Sequence, residues 1–183
     1  MRRHPSDLSG GAMLDETQED LPPESIEGTS STRGAEAIRL GLAAVPVALE
    51  RLIDGKSSET LTQPSQDGGW GVVEIIPHLR DWEQITHDRV DRILNEELPQ
   101  LEDVDDSLWA IEHDYGSQDP HKVFAEFREM RAQLVERLEA LEPKAWQRRA
   151  HIAGRGEATL QCLLNEVHAH NTERLAEARD ALA

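Results

Sequence analysis

Four stretches of this chain place apolar side chains three and four residues apart, and that spacing constrains the fold more than any other feature. The first stripe is Ile38, Leu42, Val45, Leu49 and Leu52. The second, within about Gly71 to Glu96, runs through Ile75, Leu79, Trp82, Ile85, Thr86, Arg89 and Ile93, widened by Val72, Ile76 and Val90. Phe124, Phe127, Met130, Leu134, Leu138 and Leu141 form the third. Leu160, Leu163, Leu164, Val167, Leu175 and Ala178 form the last, between about Ala158 and Ala181. A period of 3.6 residues lines up each set on one helical face. No stretch alternates with period two over a strand length. Isolated helices of this size are marginal in water, so the stripes must bury one another. The expected fold class is all-α, a four-helix bundle.

Punctuation along the chain supports these limits. Pro46 is expected to kink the first helix or open its second half, and Gly55 ends it. Residues 56–69 read as a loop. Pro77 falls in the early turns of the second helix, and Pro99 closes that segment. Residues 100–119 are an acidic connection with short turns around Leu108, Trp109 and Ile111. Asp119 followed by Pro120 is an N-cap with proline at the first helical position, and Pro143 stops the third helix. Thr159 is an alternative cap for the last helix. Residues 1–33 are rich in Ser, Gly, Pro, Asp and Glu with only isolated large apolar residues. They are expected to form a disordered acidic tail ahead of a domain at 34–183, because they cannot bury enough surface to offset their ordering entropy.

The net charge of −17 and pI of about 4.8 argue against a nucleic-acid surface, and no basic stripe interleaves with aromatics. No segment approaches the roughly 20 apolar residues of a membrane span. The basic first residues lead into no apolar run, so a secretory signal is not expected. The lone Cys162 excludes an internal disulfide framework, and the expected location is cytoplasmic.

Some polar residues interrupt the stripes. His78 shares the face of Ile75, Trp82 and Ile85; His170 follows Val167 by three; Arg174 follows His170 by four. Arg131 sits between Phe127 and Leu134 in the same manner. Histidines projecting from facing helices are a standard means of holding a divalent metal, since neutral imidazole is a good ligand. A hydrogen-bonded structural network is the competing reading. His87, nine residues after His78, is expected on the solvated face. His113, Asp114 and Tyr115 are expected in a surface loop, or at a pocket mouth. His151 reaches the site only if its connection folds over the bundle end. Cys162 reads as inert packing at the stripe's edge. No phosphate loop or nucleophile elbow is present.

The run Gly69-Trp70-Gly71-Val72-Val73-Glu74-Ile75-Ile76-Pro77-His78-Leu79-Arg80-Asp81-Trp82-Glu83 resembles the second-helix motif GWS-x-x-E-x-x-x-H-L-x-D-x-E of the DinB-like superfamily. Thr159 through Leu164 to His170, then Glu173-Arg174-Leu175, resembles that family's last-helix pattern T-L-x-x-L-L…H-x-x-E-H-L. The match spans about residues 35–182. The resemblance implies a four-helix bundle, often dimeric, with a divalent metal such as zinc or nickel on three histidines. It also implies relatives acting as hydrolases or as transferases dependent on mycothiol, bacillithiol or similar small thiols. Two of the three metal positions match here, His78 and His170. Arg174 occupies the third, and a guanidinium has no lone pair to donate.

Three arrangements are open. Arg174 supplies a fixed charge and pairs with Asp81 or Glu83, the metal being lost. Alternatively Asp81, Glu166 or Glu173 completes a weaker site, His168 being about 200° around the helix from His170 and so a poorer substitute. Or Arg174 swings outward and water fills the position. The candidate catalytic residues are accordingly Arg174, Asp81 and His151. The expected function is a thiol-dependent transferase or hydrolase with an altered metal site acting on a small molecule. The alternative is a non-catalytic bundle that binds a small molecule or a protein.

Overall fold

The computed structural model describes residues 24–65 and 68–183, and the outer part of the acidic tail, residues 1–23, lies outside them. Helix α1 (Glu24–Ile53) begins ten residues ahead of the expected start at Gly34 and continues through Pro46 without a break. A single turn, α2 (Ser58–Leu61), follows. Helix α3 (Val72–Asn95) contains Pro77, and the Gly71 N–H ahead of it is held by Glu74 Oε2 at 2.9 Å. Helix α4 (Trp109–Glu112) and a 3-10 turn (Tyr115–Ser117) lie in the acidic connection. Helix α5 (Pro120–Glu139) starts as expected, its first N–H groups donating to the Asp119 carboxylate. Helix α6 (Leu160–Ala181) is capped by Thr159, whose side chain accepts from the Cys162 N–H.

The four long helices are ordered α1–α5–α3–α6 around the bundle, so α1 and α3 are diagonal, as are α5 and α6. The face between α1 and α6 admits a close approach at Gly41, where a Cβ would come within 2.4 Å of His168 Nε2. No helix among the described residues is long and apolar enough to cross a membrane.

A small sheet was not expected from the sequence. Strands β1 (Gln100–Leu101), β2 (Arg149–Ile152) and β3 (Gly156–Thr159) form it in that order, β1 parallel to β2 and β2 antiparallel to β3. Ala150 and Ile152 alternate inward with Arg149 and His151, a pattern too short to stand out from the helical stripes. The sheet closes one end of the bundle with Leu101, Ala150 and Ile152, and Trp146 packs beside them.

The core is divided. One cluster joins Ile38 and Leu42 to Val90, Ile93, Leu134, Leu138 and Leu164. The other joins Val45 and Leu49 to Ile75, Ile76, Leu79, Phe124, Phe127 and Ala178. Between them runs a buried polar layer centred on Arg131. Its Nε and Nη2 donate to the two oxygens of Glu83 at 2.9 and 2.6 Å. Nη1 donates to the Leu42 carbonyl, and Nη2 also to Asn171 Oδ1. One guanidinium thereby ties α5 to α3, α1 and α6. The inward Arg expected from the third stripe is this latch.

Candidate metal centre

Beside the polar layer, α3 and α6 bring two imidazoles together. His78 Nε2 lies 3.1 Å from His170 Nε2 and 3.6 Å from Asp106 Oδ2. The three donor atoms all fall within 4.8 Å of one another. Asp106 comes from the acidic connection, drawn inward by Trp82, whose indole N–H donates to the same Oδ2 at 2.7 Å. Trp70 meets the His78 ring edge-on at 4.8 Å, Trp109 approaches it at 6.1 Å, and Trp82 lies 5.7 Å from His170. The centre is walled by three of the four tryptophans.

That wall sets the electrostatics. Burial, then the neighbouring His170, lowers the His78 pKa from 6.5 to about 4, while Asp106 opposes the shift. Burial and then Arg174 lower that of His170. Both rings are therefore neutral at physiological pH, the protonation state that leaves a lone pair for a cation. His78 Nδ1 is buried without a hydrogen-bond partner among the described residues, so the polar contacts of this ring all run through Nε2.

The donor set fits a divalent ion. Tetrahedral ligands at 2.0–2.2 Å from zinc stand about 3.3–3.6 Å apart, close to the 3.1 and 3.6 Å separations from His78, while His170 and Asp106 stand farther apart, within 4.8 Å. Two neutral nitrogens and one carboxylate would supply the three protein ligands that a catalytic zinc takes.

Arg174 does not pair with Asp81 or Glu83. Its Nη1 is held by Glu177 at 2.6 Å and its guanidinium lies 5.2 Å from the centre of the Trp70 ring, while Nε stays 3.4 Å from His170 Nε2. Glu83 is committed to Arg131. Asp81 accepts from Arg80 Nε at 2.5 Å, His113 Nδ1 at 2.6 Å and the Tyr115 hydroxyl at 2.8 Å. Glu166 is held by Arg155 through both oxygens, and Glu173 is exposed. None of the three carboxylates weighed as a substitute ligand joins the two histidines; Asp106 does. His168 faces Gly41 of α1, and His151 lies on β2 between Gln100 and Glu157.

Other expectations are corrected too. His87 is half-buried and its Nε2 meets the Met130 carbonyl at 2.9 Å, bridging α3 to α5. Tyr115 is fully buried rather than in a surface loop, and burial with the Asp81 contact raises its pKa. Cys162 is an exposed free thiol, not packed. Asp106 was missed because a residue in an irregular connection has no period to give it a direction. The one signal nearby was Trp109, a large apolar side chain in an otherwise acidic run.

The DinB superfamily model matches residues 42–178. The chain is 27% identical over 127 residues to YfiT of Bacillus subtilis (strain 168), provisionally named a metal-dependent hydrolase; the match covers 69% of each chain. A protein of Geobacillus thermodenitrificans (strain NG80-2) given the same provisional name is 33% identical over 79 residues, 42% of this chain and 44% of that one. The solved structure of the Bacillus subtilis protein, described as having an unusual four-helix bundle topology, superposes with a TM-score of 0.72. That superposition covers 90% of this chain and 89% of the other at 22% identity, a likeness of fold.

Proposed function

Because this chain belongs to the DinB superfamily, we propose that it is a metal-dependent hydrolase whose ion is held by His78, His170 and Asp106. The observation that carries this reading is the convergence of the three donor atoms within 4.8 Å. The provisional names of its relatives agree with it. Zinc held there would supply Lewis acidity and bring the pKa of a water towards neutrality.

The protein's own residues do the rest. Asp106 carries the one negative charge among the three donors, which offsets the repulsion between a divalent cation and the nearby Arg174. Trp82 fixes the Asp106 carboxylate through its indole N–H, the kind of outer contact that orients a ligand. Trp70, Trp82 and Trp109 limit water around the imidazoles. Arg174, kept beside His170 yet anchored to Glu177, places a fixed positive charge where an anion would develop during acyl transfer.

That same charge favours a second reading, transfer to a small thiol, because a guanidinium also orients a thiolate. Nickel is the alternative to zinc, since imidazole suits both. A cytoplasmic location accords with the exposed free thiol of Cys162.

The test is equilibrium dialysis against zinc followed by elemental analysis. Wild type should hold one zinc per chain and His78→Ala none. Asp106→Asn should bind at least about tenfold more weakly, as expected when a ligand loses its charge. Arg174→His should bind more tightly by adding a third nitrogen. Wild type that retains neither zinc nor nickel would sink the hydrolase reading and leave the non-catalytic binding bundle.

A further inference from the structure

A cleft of about 180 Å³ opens beside His170, lined by Trp82, Arg89, Arg155, Leu163, Glu166, Val167 and His170. Its two guanidinium groups are paired unequally. Arg155 Nη2 reaches both oxygens of Glu166 at 2.7 Å, so that pair is internally neutralised. Arg89 is only 8% exposed and makes no ion pair among the described residues; Asp103 and then Glu166 act on it through space, beyond contact distance. Its Nη2 donates to the Glu102 carbonyl at 2.8 Å, and its guanidinium lies 5.7 Å from the Trp82 ring centre. A nearly buried guanidinium is ordinarily paired, because removing a charge from water is costly. In a chain of net charge −17 with carboxylates to spare, this one is left facing a cleft.

From this we infer that the cleft receives the carboxylate of a small acidic substrate, with Arg89 as its counter-ion. A guanidinium without a carboxylate in contact can take one, and its planar fork of N–H donors matches a carboxylate. Leu163, Val167 and the Trp82 face supply an apolar wall for a short carbon chain between that carboxylate and the centre. At about 180 Å³ the cleft is small and suits a short acid. His170 belongs both to the cleft and to the metal centre, so the far end of such a molecule arrives at the imidazoles. Where the reacting bond lies rests on the hydrolase reading; the anion site itself does not.

The experiment titrates butyrate and its uncharged counterpart butyramide into metal-free and zinc-loaded protein, following the indole N–H signals by NMR. In the metal-free protein butyrate should bind at least about tenfold more tightly than butyramide, the scale of one charge-assisted pair. The Trp82 signal should move and that of Trp146, which packs at the sheet end, should not. Arg89→Gln should bring the two affinities to within about twofold. Glu166→Gln, at an exposed position, should tighten butyrate and not butyramide by freeing Arg155. If Arg89→Gln loses its helical circular dichroism, Arg89→Lys takes its place and should weaken butyrate at least about threefold through loss of the fork.

Equal affinities for the two probes overturn the inference, as does a preference for butyrate untouched by the folded Arg89 variant. Zinc binding, measured on the same samples, separates the two ideas. Charge preference without zinc binding leaves the cleft and removes the hydrolase; zinc binding without charge preference does the reverse.

Discussion

At the scale of single residues, the centre depends on two imidazoles staying uncharged in a tryptophan-walled space. For His78 the consequence is a pH dependence of stability with a definite sign. Its pKa falls from 6.5 to about 4 on folding, so the unfolded chain binds the proton first. The neutral ring therefore costs nothing above pH 6.5, and stability is lost as pH drops from there towards 4. The loss should approach about 3 kcal/mol at the low end, at 1.36 kcal/mol per pH unit. Urea unfolding in chelator between pH 8 and 4.5 measures it. His78→Gln should flatten the slope; an unchanged slope would assign the pH dependence to other groups. His78 and His170 were legible in the sequence because helical spacing gives each residue a direction. Asp106 was not, since its position is set by one indole hydrogen bond across a connection. Arg174 stood on the right face, but which carboxylate it meets depends on rotamers. Glu177, three residues away on the same helix, wins over Asp81 and Glu83, which have nearer cations of their own.

At the scale of elements, the polar layer decides how the helices register. Leu42, Glu83, Arg131 and Asn171 each sit at the boundary between the two apolar clusters, one on every long helix. A slide of α3 or α5 by one turn would strand a buried charge, and a slide of α1 or α6 would strip a hydrogen bond from the same guanidinium. Arg131→Met should destabilise the protein by about 3–5 kcal/mol, because Glu83, 1% exposed, loses its bidentate partner and keeps only His87 Nε2 at 3.8 Å. Adding Glu83→Leu to that variant should recover most of the loss in chemical denaturation, since the burial penalty leaves with the charge. A double variant no more stable than the single one would show that the latch holds the bundle by more than charge pairing. The sequence disclosed Arg131 through its place between Phe127 and Leu134. It did not disclose the ring order α1–α5–α3–α6, because an amphipathic stripe states which face is buried and not which helix covers it. The sheet escaped for a related reason: strands of two to four residues carry too few alternations to outweigh the helical stripes beside them.

At the scale of the whole molecule, the proposed ion joins parts of the chain that the apolar cores join only indirectly. His78 is in the second turn of α3, Asp106 lies in the connection before α5, and His170 is in the middle of the last helix. The connection from 102 to 108 has no regular structure, and its hold on the bundle here runs through Asp106 to Trp82 and through the Glu102 carbonyl to Arg89. Metal binding should therefore act as a staple across sequence-distant elements and raise the stability of the entire fold. A ligand that binds only the folded state at 100 times its Kd adds about 2.7 kcal/mol. For a domain of this size each kcal/mol raises Tm by about 2–4 °C, so zinc should raise it by about 5–10 °C. Differential scanning fluorimetry with chelator, then with graded zinc, reads the shift directly. Asp106→Asn should give a smaller shift at the same zinc concentration, and His78→Ala none. A shift that survives His78→Ala would place the stabilising zinc elsewhere on this acidic surface, because exposed carboxylates bind cations without regard to the two histidines.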